Sequence, residues 1–156
     1  MAGTITTAMC NTFKEEILKG VHDLETETLR VALIKPEADI LANYDAATTN
    51  YSDLGSDELD DGVGNYSRDV ANNNLDISGT NVNLSNGVAW VDFPDLVFQN
   101  LTVSAGGALI YNASQGNKAV AVFDFGGTVT STSGDFTIVF PGGATPDDTN
   151  AVIRIS

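Results

Sequence analysis

The sequence has few of the side chains on which most enzyme chemistry depends. It contains one cysteine and one histidine in 156 residues, and the half that follows residue 78 contains neither. A single cysteine cannot form an internal disulfide, so we predict that Cys10, in a helical pattern, is a small buried apolar residue rather than a reactive thiol. His22 lies just after this pattern and is predicted to be a residue at a helix end. Its neighbour Asp23 does not make it a catalytic base, because adjacent residues in sequence are not a triad and the chain has no G-x-S-x-G motif. We therefore expect no catalytic residues and no enzymatic activity.

Positive charge is also scarce. Lysine and arginine together number 7 against 21 aspartate and glutamate residues, so the formal net charge is −14. Such a chain repels phosphate backbones, and we expect no nucleic-acid partner. An excess of carboxylates is typical of a protein that stays soluble at high copy number. Salt would screen the repulsion between copies.

Long hydrophobic runs are missing. No window approaches the length of about 18 continuous apolar residues that a transmembrane helix needs, so we expect no membrane partner. Residues 1–7 have neither a basic region nor a long apolar core, and they are not typical of a secretory signal. These features predict synthesis in a reducing cytoplasm.

The apolar sequence that is present is enough for a core. Apolar residues make up 42% of the chain, and the length predicts a single domain over residues 1–156. From Met9 to Ile17 they recur at helical spacing, which predicts an amphipathic helix over residues 7–20. Gly20 is predicted to stop this helix.

A strand and a long loop are predicted next. Residues 28–35 alternate in the manner of a strand, which ends at Pro36. Residues 36–65 are predicted to form a surface loop, and five carboxylates lie between residues 51 and 65. We expect this acidic stretch to be an exposed excursion that contacts solvent or a neighbouring subunit.

Short strands separated by turn signals dominate the rest of the chain. Asn86-Gly87 is the clearest hairpin signal among them. The spacing predicts a mainly β fold, an antiparallel β-sandwich of jelly-roll-like type with one N-terminal α-helix. The predicted strands cover residues 66–72, 80–85, 87–93, 96–103, 107–112, 117–125, 127–131, 134–140 and 150–155.

Two of these strands are apolar on both faces. They lie in residues 119–125 and 136–140, and their large side chains predict the central core. Their second face is too wide for one helix to cover, which predicts an oligomer or a lattice. The residues predicted for the central core are Phe123, Phe125, Phe136, Ile138 and Phe140.

The acidic stretch from Asp57 to Gly62 resembles a calcium-binding loop only superficially. An EF-hand needs oxygen ligands at positions 1, 3 and 5 and a glutamate at position 12. Counting from Asp57, Leu59 stands at position 3 and Arg68 at position 12. A looser calcium site remains the alternative, but we expect a solvated acidic loop, no metal and no cofactor.

Two further carboxylates stand in apolar strands. Asp92 and Asp124 are predicted to have structural rather than catalytic roles, with Asp124 paired to Lys118 or Arg154. Paired carboxylates for glycoside cleavage are the alternative. Trp90 would suit a glycan platform if exposed, but a single tryptophan on a strand predicts a core residue.

Three segments in this order resemble a family of small structural proteins from the virions of tailed bacteriophages. The first comprises residues 6–23 followed by 28–33, and the first and second segments are the more specific. The second comprises residues 107–112 with 117–127, and the third comprises residues 135–141 with 150–155. Together they span nearly the whole chain, apart from the acidic stretch.

The resemblance implies a virion component without catalytic residues. Within the family it favours a capsid decoration, or cement, protein that binds the major capsid protein and stiffens the head shell. A tail or neck component, or a glycan-binding adhesin on the virion, is the alternative. The implied location is the virion, after synthesis in the host cytoplasm, and the implied state is a homo-oligomer.

Overall fold

The computed structural model describes residues 2–68, 76–77, 80–142 and 145–156. Within these residues the chain forms two antiparallel β-sheets and one short α-helix near the N-terminus, which confirms the predicted fold class. The elements in chain order are β1 (Ala8–Met9), α1 (Asn11–Leu18), β2 (Leu29–Ile34), β3 (Asp76–Ile77), β4 (Asn81–Ser85), β5 (Val88–Asp92), β6 (Leu96–Asn112), β7 (Lys118–Ile138) and β8 (Ile153–Ile155).

The larger sheet holds the most deeply buried part of the molecule. Its strands lie in the order β1-β7-β6-β2-β3, so the long β6–β7 pair takes one N-terminal strand on each side. In β2, Val31 lies opposite Ile110 of β6, and in β7, Val122 lies opposite Leu109 of β6. All four side chains are fully buried. Strands that are apolar on both faces need a cover on both, and α1 and the 36–66 loop contribute Phe13, Tyr44, Leu54 and Tyr66 to the same core.

Five of the predicted strands merge into two. Residues 96–103 and 107–112 belong to one strand, β6, and residues 117–138 belong almost wholly to β7. The sequence signals that predicted turns are instead irregularities within a paired ribbon, with register shifts such as the one between Ala105 and Gly107. At Gly107 a Cβ atom would lie 2.3 Å from the carbonyl oxygen of Phe123, so this residue permits close strand approach.

The smaller sheet has the order β4-β5-β8. The predicted Asn86-Gly87 hairpin joins β4 to β5, and both residues have positive φ (48° and 79°), as a type I′ turn requires. β8 pairs antiparallel with β5 through residues 153–155, a shorter strand than the one predicted over 150–155.

The N-terminal helix is shorter than predicted. Residues 7–10 lie outside it, because Ala8 and Met9 pair with Val122 and Ala121 as β1. The predicted stop is confirmed: Gly20 has φ of 68° and follows the last helical turn directly. Tertiary pairing therefore overrides a helical pattern at one end, and local stop chemistry sets the other end.

The predicted central core is correct only in part. Phe136, Ile138 and Phe140 are buried, but Phe123 and Phe125 are half-buried and pack against the core from its edge. Edge-on aromatic contacts connect Phe123 to Phe140, with ring centroids 5.8 Å apart. The centre of the core lies instead in β2 and in the adjoining parts of β6 and β7.

The expected uncovered apolar face is found only in part. Residues 119–122 are at most 4% exposed, because neighbouring strands and the N-terminal segment cover them within the chain. In residues 136–140, Val139 is 68% exposed, and further exposed apolar side chains lie on the smaller sheet, as described below. The predicted strand over 66–72 is not found at 66–68, and its remainder lies outside the described residues.

The 36–65 loop contains no named strand but is not irregular throughout. Short 3-10 helices form at Glu37–Asp39, Tyr51–Asp57 and Val63–Asn65. Across the described ranges, no helix is both long and apolar enough to cross a membrane.

Candidate functional site

The acidic stretch, predicted to be solvent-exposed, buries two of its five carboxylates. Asp57 and Glu58 are 5% and 2% exposed, whereas Asp53, Asp60 and Asp61 remain on the surface. Backbone hydrogen bonds tie this segment to the end of β2: the Lys35 N–H donates to the carbonyl of Asp57 at 2.9 Å. The stretch is therefore anchored to the larger sheet, and the expectation of a wholly solvated loop is wrong.

Glu58 is held by two phenols and one guanidinium. The hydroxyls of Tyr51 and Tyr66 donate to its two carboxylate oxygens at 2.7 and 3.0 Å, and Arg68 Nε lies 3.2 Å from Oε2. Burial raises the pKa of Glu58 above its usual value, although these partners all act to lower it. Tyr51 also stacks on Tyr111 with ring centroids 4.6 Å apart, which fixes the loop over β6.

The pKa of Asp57 is shifted in the opposite direction from that of Glu58. One oxygen, Oδ2, accepts from the Tyr44 hydroxyl at 2.8 Å and from the N–H groups of Leu41 and Ala42 at 3.0 and 3.2 Å. Burial alone would raise the pKa of Asp57, but these three donors outweigh it and the pKa is lowered. The two adjacent carboxylates hold the loop together through these hydrogen bonds and do not form a ligand site.

His22 has two partners, although the sequence predicted none. Its imidazole is fully buried, with Nε2 3.0 Å from Glu16 Oε2 and Nδ1 3.0 Å from the amide nitrogen of Asn112. An amide nitrogen only donates, so Nδ1 accepts and the ring proton lies on Nε2, directed at Glu16. Lys118 binds the other oxygen of Glu16, and Asn112 also donates to Glu27 at 2.6 Å.

This buried network lacks a nucleophile. In the described part of the chain, no hydroxyl or thiol hydrogen-bonds to the His22 ring. The ring packs instead against Phe13 in a tilted arrangement, with ring centroids 5.0 Å apart. Cys10 is fully buried as predicted, and burial raises the pKa of its thiol to about 12, far from thiolate at neutral pH. These groups connect α1 to β6 and β7.

The two carboxylates that the sequence singled out lie in different environments. Asp124 is exposed and accepts from the Gly126 N–H at 2.8 Å, so its predicted pairing with Lys118 or Arg154 is wrong. Lys118 binds Glu16 instead, and Arg154 donates to the carbonyl of Thr149 at 2.8 Å.

Asp92 is buried at the end of β5. Burial, together with the charge of Asp95, raises its pKa, and its Oδ1 has no hydrogen-bond partner among the described residues. Those residues also contain no group of three or more His, Cys, Asp or Glu side chains that could hold a metal ion.

Trp90 does not form an exposed platform. Its side chain is half-buried, and the indole Nε1 donates to the hydroxyl of Ser85 at 3.2 Å. Recognition of a sugar ring by stacking needs an open aromatic face. Nothing in this arrangement favours the adhesin alternative.

The open apolar surface lies on the smaller sheet. Residues directly opposite each other in paired strands share a face, so Leu84, Ala89 and Ile155 form one row on it. Leu84 is 75% exposed and Ile155 is 51% exposed, and Val82, two residues from Leu84, is 45% exposed. We call this surface, comprising Val82, Leu84, Ala89 and Ile155, the open face.

A groove continues from the open face onto the helix. It has a volume of about 420 Å³, shares Ile155 with the open face, and has Leu18, 87% exposed, at its rim. We call it the α1–β8 groove. It is lined by Met9, Phe13, Lys14, Ile17, Leu18, Arg154, Ile155 and Ser156.

A continuous apolar surface of this kind is a candidate interface. Single exposed apolar residues are common, but contiguous ones with polar surroundings are typical of protein-binding surfaces. The sequence signal was present, because β4 and β8 alternate apolar and polar residues. What the sequence could not show is which part of that apolar side is covered. Val91 and Ile153 lie on the same face and are 3% and 4% exposed, whereas the open face stays uncovered within the described part of the chain.

Comparisons with known proteins gave no match: no family model fits the chain, and no curated protein or solved structure is similar to it at a significant level.

Proposed function

We propose that this protein is a structural component of a tailed-bacteriophage virion, and that it decorates the capsid by binding the major capsid protein in many copies. The observation that carries the proposal is the open face, where Val82, Leu84 and Ile155 are 45%, 75% and 51% exposed. The resemblance in sequence supports the same function. Ile155 of the open face lies in residues 150–155, which belong to the third segment that carries that resemblance.

A decoration protein needs rigidity, solubility and one adhesive surface. The buried parts of β2, β6 and β7 supply a rigid scaffold. The net charge of −14 favours solubility at high copy number. Covering the apolar surface with a partner lowers the free energy, because its side chains then leave water.

Binding to empty heads would test the proposal directly. We expect purified protein to co-sediment with mature heads that lack it, to saturate at a fixed number of copies, and to raise the temperature at which the heads rupture. Electron microscopy of the saturated heads should show density on the outer shell.

A matched variant identifies the surface in that assay. Leu84→Asp places a charge on the open face, whereas Thr128→Asp places the same charge on an exposed residue of β7. We expect the first to abolish head binding and the second to leave it intact. Binding to tails or necks but not to heads would favour the alternative virion location, and binding to host glycans alone would contradict the proposal.

A further inference from the structure

The α1–β8 groove differs from the rest of the surface in charge as well as in polarity. Five of the 7 cationic side chains lie within 4 Å of a carboxylate: Lys19, Arg30, Lys35, Arg68 and Lys118. Among the described residues, Lys14 and Arg154 are the two cations without such an ion pair. Both line the groove.

The hydrogen-bond partners of these two cations are neutral, although the charge of Arg154 also acts on Asp147 at longer range. Lys14 Nζ donates to the side-chain oxygen of Asn11 at 3.2 Å, and Arg154 donates to a backbone carbonyl. Both residues are exposed. In a chain with 21 carboxylates, an apolar groove flanked by the two cations free of ion pairs is complementary to an acidic surface that carries a protruding apolar side chain.

We propose that the α1–β8 groove binds a second copy of this chain. A second copy is an acidic partner, and it presents a segment of matching chemistry. Leu41 is 82% exposed and follows the exposed residues Glu37 and Asp39. Leu41 would enter the groove beside Leu18 and Ile155, and the carboxylates would approach Lys14 and Arg154.

The contact joins different surfaces of the two copies, so it is heterologous. Such contacts close into a ring when the rotation between copies permits it, and otherwise extend into a row. This inference goes beyond the proposed function and does not depend on it, because copies can associate with or without a head shell. It names the surface through which the expected homo-oligomer forms.

Sedimentation equilibrium with charge-matched variants tests the electrostatic part. Lys14→Gln with Arg154→Gln removes two positive charges from the groove, and Thr128→Glu with Thr132→Glu adds two negative charges on exposed positions of β7. Both double variants have the same net charge, so they repel equally at long range. We expect the groove variant to have a dissociation constant for self-association about 3- to 10-fold above that of the wild type. The control variant should also have a raised dissociation constant, but the change in its logarithm should be less than half that of the groove variant.

Exposed apolar residues test the contact itself. We expect Leu18→Asn and Leu41→Asn each to weaken association by about 10-fold. Val139→Asn, at a residue that is 68% exposed and remote from the groove lining, should not weaken it. Circular dichroism on every variant would confirm that the fold is retained.

Disulfide trapping tests the pairing of the two surfaces. Leu41→Cys and Ile155→Cys are made as separate variants, since the native Cys10 is buried. We expect cross-linked dimers across the two variants when they are mixed and oxidised, and far fewer from either variant alone.

Three results would overturn the proposal. They are a strict monomer at every concentration, association that the groove variants do not weaken, and cross-linking that is as strong within one variant as between the two. Head binding by the wild-type protein is measured separately from self-association. Failure of this proposal is therefore distinguishable from failure of the proposed function.

Discussion

The two sheets are built from the same kinds of residue but differ in what covers them. In the larger sheet, Val31, Leu33 and Ile34 of β2 are fully buried. In the smaller sheet, Val82 and Leu84 of β4 are 45% and 75% exposed. Strand-forming sequence therefore does not by itself indicate core. The position of neighbouring elements decides whether an apolar strand stabilises the fold or remains available to a partner.

The largest expected effect is in the covered sheet. Leu109→Ala removes a fully buried side chain from the C-terminal part of β6 and leaves a cavity among tightly packed neighbours. We expect it to lower the free energy of unfolding by about 2–5 kcal/mol. Urea titration followed by circular dichroism measures the change. A loss as small as that of an exposed leucine would contradict the placement of the core.

Among the aromatic residues of the core, truncation of a half-buried ring should lower the free energy of unfolding less than truncation of a buried one. Phe136 is 6% exposed, and its ring packs against Phe98 and Phe125, with ring centroids 6.2 and 6.0 Å apart. We expect Phe136→Ala to cost about 3–5 kcal/mol, but Phe125→Ala, at a half-buried residue, to cost clearly less. Equal losses in the same titration would mean that both rings are core residues, as the sequence predicted.

The adjacent carboxylates Asp57 and Glu58 should change the pH dependence in opposite directions. The pKa of Asp57 is lowered in the folded state, so its contribution is present above the unfolded pKa of about 3.9 and is lost as pH falls through the folded value. We expect Asp57→Asn to destabilise the protein by about 1–3 kcal/mol at pH 7. The difference from wild type should shrink on acidification below about pH 4.

Glu58 behaves in the reverse sense because its pKa is raised in the folded state. Protonation then favours folding, and stability is lost as pH rises from the unfolded pKa of about 4.3 through the folded value. Glu58→Gln removes this loss, so its stability relative to wild type should increase with pH over that interval. Thermal melts between pH 4 and pH 7 would measure it, and a relative stability that falls with pH would contradict the assignment.

The smallest effect is expected on the open face. Leu84→Ser replaces a side chain that is 75% exposed, so the free energy of unfolding should change by no more than about 0.5 kcal/mol. The same variant should weaken binding to heads. A large loss of stability would mean that the open face is covered within a single chain.

The parts of the fold that follow from local chemistry were predictable from the sequence. The Asn86-Gly87 hairpin and the stop at Gly20 depend on residues that adopt positive φ, and both are confirmed. The mainly β class followed from the spacing of strands and turns. β1 was not predictable, because Ala8 and Met9 fit a helical pattern and become a strand only through pairing with β7.

The buried carboxylates show the limit of sequence interpretation at the candidate sites. Asp57 and Glu58 stand in an acidic stretch, and nothing in that stretch distinguishes them from Asp60 and Asp61. Their burial depends on phenols from residues 44, 51 and 66, which tertiary folding brings to them. The partners of His22 are similarly distant, since Asn112 lies 90 residues away in the chain.

The order of strands in the larger sheet also sets when the fold can form during synthesis. β1 and β2 leave the ribosome early, but the strands that flank them, β7 and β6, are made only after residue 95. Until then the apolar β2 strand has no partner from the centre of the sheet. The β6–β7 ribbon closes over a turn of five residues, 113–117, so it is a local pairing that forms readily once both strands are available. The N-terminal strands then complete the sheet on both sides, which makes the last third of the chain the template on which the first third folds.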